Sequence, residues 1–237
     1  MVAALSVVEK LAVIQKSLAP EDAGLLHRAG DLARRTAESL ATGVEAFDRL
    51  VGKGIPRGSL VEAVGRKSTG RFALVLSALA AATARGENAA FVDLGGALSP
   101  RLAQEAGAVL SRILWARPGR LRAAVRAAEI ALDAGFPLVV VDLGLPPLPG
   151  ARLPEAVWIR LARSARAHGA ALLLSTPYCL AGGAAEAVVV LTHGRPVWRA
   201  VGRGPRLLEG ISTAFRLEKR RGARPGRESC AQWRIAV

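Results

Sequence analysis

Val61-Glu62-Ala63-Val64-Gly65-Arg66-Lys67-Ser68-Thr69-Gly70-Arg71-Phe72 reads as a short apolar strand, a turn with four residues between its glycines, and the start of a helix running from Phe72 to about Ala84. Strand, glycine-bounded turn and helix in this order form the layout of a phosphate-cradling P-loop, where backbone amides and a helix N-terminus together make an anion site. The frame marks Gly65, Arg66, Lys67, Ser68, Thr69, Gly70, Arg71 and Phe72 as candidate nucleotide-contacting residues. Two chemical groups are absent. The motif places Lys and then Ser or Thr after the second glycine, to hold the phosphates and Mg²⁺, and here those positions carry Arg71 and Phe72. Arg71 keeps an anion-binding group, because a guanidinium forks onto oxyanions. As a plain surface residue at a helix start it would be mildly disfavoured by the helix dipole. Lys67, inside the turn, is a weaker source of the missing ammonium. ATP is thus a candidate ligand, and the lost hydroxyl puts Mg²⁺ in doubt.

On either side of this stretch the pattern alternates. Leu60–Val64, Ala89–Asp93, Ile113–Ala116, Leu138–Asp142 and Ala171–Ser175 read as strands, and helices are expected over Ser99–Ala106, Leu121–Asp133 and Pro154–Ala167. Leu138-Val139-Val140-Val141 is apolar throughout, as a strand covered on both faces should be. Alternating strands and helices predict βαβ units and an α/β fold with a mostly parallel sheet flanked by helices. After Ala184 the helical signals stop. Short strands at 187–192, 197–200, 213–218 and 232–235 predict an antiparallel extension of one edge. Before the alternating region, Ala4–Leu18 carries Val7, Leu11, Ile14 and Leu18 at helical spacing, Pro20 stops it, and a second helix is expected over Glu21–Leu40. Residues 1–40 are therefore assigned to an N-terminal helical segment for oligomerisation or partner docking, and 41–237 to the main domain. A glycine- and proline-punctuated lead-in, Thr42-Gly43-Val44-Glu45-Ala46-Phe47-Asp48 and then Gly54-Ile55-Pro56-Arg57-Gly58, opens the main domain.

Composition narrows the function classes. A chain of 237 residues that is 51% hydrophobic can bury a sizeable core. The longest uncharged stretch, 169–185, is broken by Pro177 and Gly182-Gly183 and is too short to span a bilayer. Glu9, Lys10 and Lys16 sit where a signal peptide would be apolar. Cys179 and Cys230 form neither a disulfide framework nor a metal spacing, so the expected location is a reducing cytoplasm. The net charge of +14 is uneven: from Arg195 to Val237 eleven basic residues face three acidic ones. Clustered basic charge points to a polyanion partner, most often nucleic acid, with an unpartnered solvated face as the plainer reading. Trp158 and Trp233 are expected in the core, and Tyr178 and Trp198 are candidates for stacking on single-stranded bases.

The ordered set resembles the RecA-type recombinase core: Thr-Gly-x-x-x-Phe-Asp, Gly-Ile-Pro-x-Gly, strand, P-loop and helix, then Phe91-Val92-Asp93 with Ala97-Leu98-Ser99-Pro100, then a strand ending in Asp142. The resemblance covers 41–237 and extends weakly to the N-terminal helix, which in RecA packs on a neighbouring filament subunit. It implies a RecA-like fold, with Asp142 as the metal carboxylate of the site or, on the plainer reading, a polar strand terminus. The departures fall on the chemistry. Gly95 stands where RecA has a water-orienting glutamate, and Thr176-Pro177 where it has Asn-Gln, whose glutamine senses the terminal phosphate. Together with Arg71 and Phe72 these touch every part that phosphoryl transfer needs. One lost group of this kind commonly costs ~10²-fold or more in rate.

A RecA-like chain of this length with an eroded P-loop and a basic C-terminus is similar to the ImuA family. That resemblance implies an accessory role in DNA damage-induced translesion synthesis, beside an ImuB-like Y-family polymerase relative and an error-prone polymerase, in the nucleoid-associated cytoplasm, with RecA and self-association as further expected contacts. Lys219-Arg220-Arg221-Gly222-Ala223-Arg224-Pro225 is similar to a RecA segment whose two lysines reach a neighbour's ATP, with Lys219 and Arg221 at those places, so that the resemblance implies contact with either a neighbouring subunit's nucleotide or DNA phosphates. With Arg227 added, Lys219, Arg220, Arg221, Arg224 and Arg227 are the candidate DNA-binding residues. Two rival readings are a weak DNA-stimulated ATPase using Arg71 and Asp142, and a SulA-like interaction protein that binds no DNA.

Overall fold

A computed structural model describes residues 38–148, 153–199 and 206–234. The chain contributes strands β1 (Ser39–Leu40), β2 (Ile55–Pro56), β3 (Ser59–Gly65), β4 (Ala89–Asp93), β5 (Ile113–Ala116), β6 (Leu138–Asp142), β7 (Ala171–Thr176), β8 (Ala187–Arg199), β9 (Leu207–Arg220) and β10 (Glu228–Arg234). Its helices are α1 (Glu45–Val51), α2 (Arg71–Ala84), α3 (Pro100–Glu105), α4 (Leu121–Asp133) and α5 (Glu155–His168). Eight strands form one sheet in the order β10-β9-β8-β3-β7-β6-β4-β5. The pairings from β8 to β5 are parallel, and β9 and β10 are antiparallel additions.

Alternation along each central strand divides the core into two layers. Val61, Ala63, Val140 and Leu173 pack with α1 and α2, and Leu60, Val64, Val139, Val141 and Leu172 with α4 and α5. A side-chain period of two sends neighbours to opposite faces, so a strand covered on both sides must be apolar throughout. Glu62 is the exception: it is fully buried on the α4–α5 face. Trp158 of α5 fills that layer as expected, and Trp233 is half-buried against the other.

Three expectations are revised. Ser39 and Leu40 are extended in β1, paired with β2, so no helix reaches Leu40. The rest of the two N-terminal helices lies outside the described residues. The lead-in at 42–48 holds a helix, α1, anchored by buried Phe47 edge-on to Phe215 at 6.1 Å. Asp48 fixes the preceding loop, accepting from Thr42 N at 3.0 Å and Thr42 Oγ1 at 2.8 Å. Residues 187–199 form a single strand, not two, because β9 pairs along it across register shifts that absorb the Gly194–Pro196 region.

Candidate functional site

The P-loop, Asp93, Asp142 and Thr176 all sit at the carboxyl end of the parallel strands, where open α/β sheets place their ligand crevice. Asp93 is the register partner of Asp142, and Asp142 that of Ser175. Ser68 and Gly70 turn the loop through the left-handed region at φ 61° and 82°. Buried Thr69 donates its hydroxyl to Arg66 O at 2.8 Å, closing the turn on itself. The C-terminal strands clamp the outside of the loop: Thr213 Oγ1 donates to Thr69 O at 2.9 Å, and Trp233 Nε1 donates to Thr213 Oγ1 at 2.9 Å. Gly194 lies so close that a Cβ there would fall 2.3 Å from Ser68 O. Arg66, Lys67 and Ser68 stay exposed beside an open cleft of 890 Å³ that Leu145, Pro146, Pro177 and Tyr178 help to line.

Arg71 does not face that cleft. Its side chain is 7% exposed and turns inward. Nη1 lies 3.3 Å from Asp142 Oδ1 and donates to Ser175 Oγ at 3.1 Å, while Nη2 donates to Gly144 O. Ser175 Oγ in turn donates to the same Asp142 oxygen. Burial pushes the Asp142 carboxyl above the ordinary aspartate range, and Arg71 and the Ser175 hydroxyl pull against that shift. The guanidinium therefore serves as the internal counter-ion of a carboxylate at the end of β6.

This donor set does not fit a Mg²⁺ ion. Asp142 already answers a cation, Phe72 packs partly buried on the core layer of α1 and α2 in place of the required hydroxyl, and no cluster of three metal-ligating side chains occurs among the described residues. The neighbouring positions are closed as well. At Gly95 a Cβ would meet Gly144 Cα at 2.6 Å and Asp142 Oδ2 at 3.2 Å, so the two loops touch backbone to backbone where a glutamate would have to stand. Asp93 spends its carboxylate on Ala97 N at 3.0 Å, Leu98 N at 3.1 Å and Trp115 Nε1 at 3.2 Å. Thr176 Oγ1 donates to Glu62 Oε1 at 3.1 Å, and the same carboxylate accepts from Leu180 N at 2.7 Å and Ala181 N at 3.2 Å. Burial pushes the Glu62 carboxyl up, and those amides pull it back.

The basic C-terminal residues divide. Lys219 Nζ donates to Gly182 O at 2.9 Å, Gly183 O at 3.3 Å and Ala185 O at 2.9 Å, using all three of its donors on the loop between β7 and β8. Arg220 Nη1 donates to Leu50 O at 3.4 Å in the last turn of α1. Both heads are therefore engaged on backbone carbonyls. Arg221, Arg224 and Arg227 are exposed. Arg221 stands 3.6 Å from Glu186 and lines a groove with Arg163 and Arg166 of α5. This groove opens at the amino end of β3, away from the P-loop cleft. Tyr178 is 45% and Trp198 52% exposed.

Residues 6–154 match the model of the RecA N-terminal domain. The chain belongs to that family. It is similar to Protein RecA of Synechococcus elongatus, at 33% identity over 120 residues, or 50% of this chain and 34% of the relative. Protein RecA of Prochlorococcus marinus is 36% identical over 120 residues, or 50% and 33%. Protein RecA of Thermus thermophilus is 35% identical over 132 residues, or 55% and 39%. The chain thus spans between 33% and 39% of the length of these three relatives.

Glu62, Ser175, Arg163 and Arg166 were not legible as site residues. Glu62 did leave a signal, a lone carboxylate inside an otherwise apolar strand, whereas the other three gain meaning only from what the fold brings beside them.

Proposed function

We propose that this RecA-family chain is an accessory protein that binds DNA and does not depend on nucleotide turnover, acting as an adaptor of the ImuA type in damage-induced translesion synthesis. The observation that carries the reading is the buried Arg71–Asp142 pair, which puts a fixed side-chain cation where a catalytic site needs an exchangeable one. Exposed Arg224 and Arg227, and exposed Arg221 in the groove it shares with Arg163 and Arg166, support the choice of DNA. Arginine forks match phosphate geometry, and contacts to phosphate carry no sequence information directly. Lys219 and Arg220 contribute by shaping the scaffold that presents these arginines. In this role one surface holds DNA and another an ImuB-like Y-family polymerase relative with its error-prone polymerase, inside the nucleoid-bearing cytoplasm.

A DNA-binding titration with and without ATP and Mg²⁺ tests this. Affinity should be the same in both conditions, and Arg221→Ala with Arg224→Ala should weaken it. Nucleotide-dependent binding, or ATP turnover abolished by Asp142→Ala, would overturn the reading in favour of a DNA-stimulated ATPase.

A further inference from the structure

Among the described residues the sheet has two unequal outer edges. β5 is four residues long, and β10 is seven. Natural edges are blunted by brevity, proline, bulges or inward charges, since a regular unpaired strand templates another. β8 carries Pro196 and register shifts in its outer half. β10 has none of these devices: it pairs with β9 without a break from Glu228↔Arg216 to Arg234↔Gly210, and it contains no proline. Its residues alternate cleanly. Glu228, Cys230 and Gln232 are exposed, while Ser229, Ala231 and Trp233 are half-buried. Beside the strand a groove of 550 Å³ opens against α1 and α2, lined among others by Val44, Arg49, Leu76, Ser77, Ala231 and Trp233.

We infer that β10 is a self-pairing edge, and that a second copy of this chain adds its own β10 antiparallel across a twofold axis at Ala231. The register is set by the sequence Glu228-Ser229-Cys230-Ala231-Gln232-Trp233-Arg234. The one antiparallel register that pairs all seven positions also sets Glu228 opposite Arg234 of the partner subunit, at both ends of the ribbon. Ala231 then meets its own copy at the centre, where a small side chain lets two strands approach, and Cys230 faces Gln232 of the partner subunit. Directly opposed residues of opposite charge stabilise an antiparallel pair, and like charges there destabilise it. A twofold interface requires this self-complementarity. The inner side chains of the added strand, Ser229, Ala231 and Trp233 of the partner subunit, would lie over the groove against α1 and α2. The joined sheet would be continuous through both copies. This inference is independent of DNA or nucleotide binding.

Sedimentation of the full chain over a wide concentration range tests it. A monomer–dimer equilibrium is expected. Glu228→Arg, on an exposed position, should weaken the dimer by about tenfold, since two like-charge contacts replace two favourable ones. The swap Glu228→Arg with Arg234→Glu should restore it. In a Cys179→Ser background, Gln232→Cys should give a disulfide-linked dimer on mild oxidation, because it places a thiol opposite Cys230 of the partner subunit. A monomer at all concentrations, or a dimer that ignores Glu228→Arg and leaves Gln232→Cys unlinked, would overturn the proposal.

Discussion

Replacing Arg71 by methionine isolates the central claim about the P-loop. The substitution keeps most of the buried stem and removes the guanidinium. Asp142, 2% exposed, is then left with the Ser175 hydroxyl as its remaining side-chain partner, and Gly144 O loses a donor. Breaking a buried ion pair by deleting one member costs about 3–5 kcal/mol, because the survivor stays desolvated. For a domain of this size about 2–4 °C accompanies each kcal/mol, so the midpoint of thermal unfolding should fall by roughly 6–20 °C. The pH dependence fixes the cause. Asp142 already binds its proton more tightly folded than unfolded, and losing Arg71 pushes its folded pKa higher still. A carboxyl with a raised folded pKa contributes most below its unfolded value, and that contribution is lost as pH rises through the folded value. The defect of Arg71→Met should therefore shrink in mild acid and grow towards neutrality. Adding Asp142→Asn should recover much of it, since the amide needs no counter-ion. Denaturant unfolding at several pH values reads all of these. A variant within about 1 kcal/mol of the parent, or one that Asp142→Asn does not rescue, would show that Arg71 is not the counter-ion of this carboxylate.

Other outcomes follow from the same geometry. Gly95→Glu, which restores the carboxylate of the RecA pattern, should destabilise by about 1–3 kcal/mol through its clash with Gly144 and yield no ATP turnover, as measured by unfolding and phosphate release. Lys219→Ala should cost about 1–3 kcal/mol by releasing three carbonyls while leaving the salt slope of DNA binding unchanged. By contrast, each of Arg163, Arg166, Arg221, Arg224 and Arg227 that contacts a duplex phosphate should reduce that slope by about 0.9 when replaced by alanine, with all five giving about −4.5 in the parent. Glu62→Gln compared with the parent should show the parent's advantage largest in acid and falling as pH rises through the raised folded pKa of Glu62, read by unfolding at matched pH values.

Most of the fold was written locally. β4, β5, α4 and β6 begin and end where apolar runs meet Asp93, Ala116, Asp133 and Asp142, because strand and helix periods and their terminators are short-range signals. α1 escaped notice because it is seven residues long, follows Val44, which offers no side-chain cap, and hides between glycines. The site was legible as a frame and opaque in its wiring. A P-loop pattern marks where phosphate would sit, so Arg71 reads as an anion-binder from its neighbours alone. What redirects it is Ser175, 104 positions away, and Gly144, 73 positions away, which only the parallel register brings to the same end of the sheet. The C-terminal basic run misled in a similar way. Adjacent residues on a strand point to opposite faces, so Lys219, Arg220 and Arg221 cannot form one patch. Lys219 holds a loop, Arg220 the last turn of α1, and Arg221 joins Arg163 and Arg166 from another element.

The departures from the RecA pattern are better understood as one rearrangement than as separate losses. Asp93 and Asp142 stand side by side on neighbouring strands, both nearly inaccessible to solvent. Two buried carboxyl groups in such a place demand polar partners. In a metal-dependent site such a partner arrives with the ligand and leaves with it. Here it is supplied by the chain itself: Asp93 accepts from two backbone amides and an indole, and Asp142 pairs with Arg71 and accepts from Ser175. The guanidinium that reaches Asp142 is also held by Gly144 O in the loop after β6, and that loop meets the loop after β4 backbone to backbone at Gly95 and Gly144. The same contact excludes a glutamate at 95. The pairing of Asp142 within the chain and the absence of a carboxylate at 95 thus belong to one geometry, so Lys at 71 alone would give up the guanidinium fork that joins Asp142, Ser175 and Gly144 without reopening room for the chemistry.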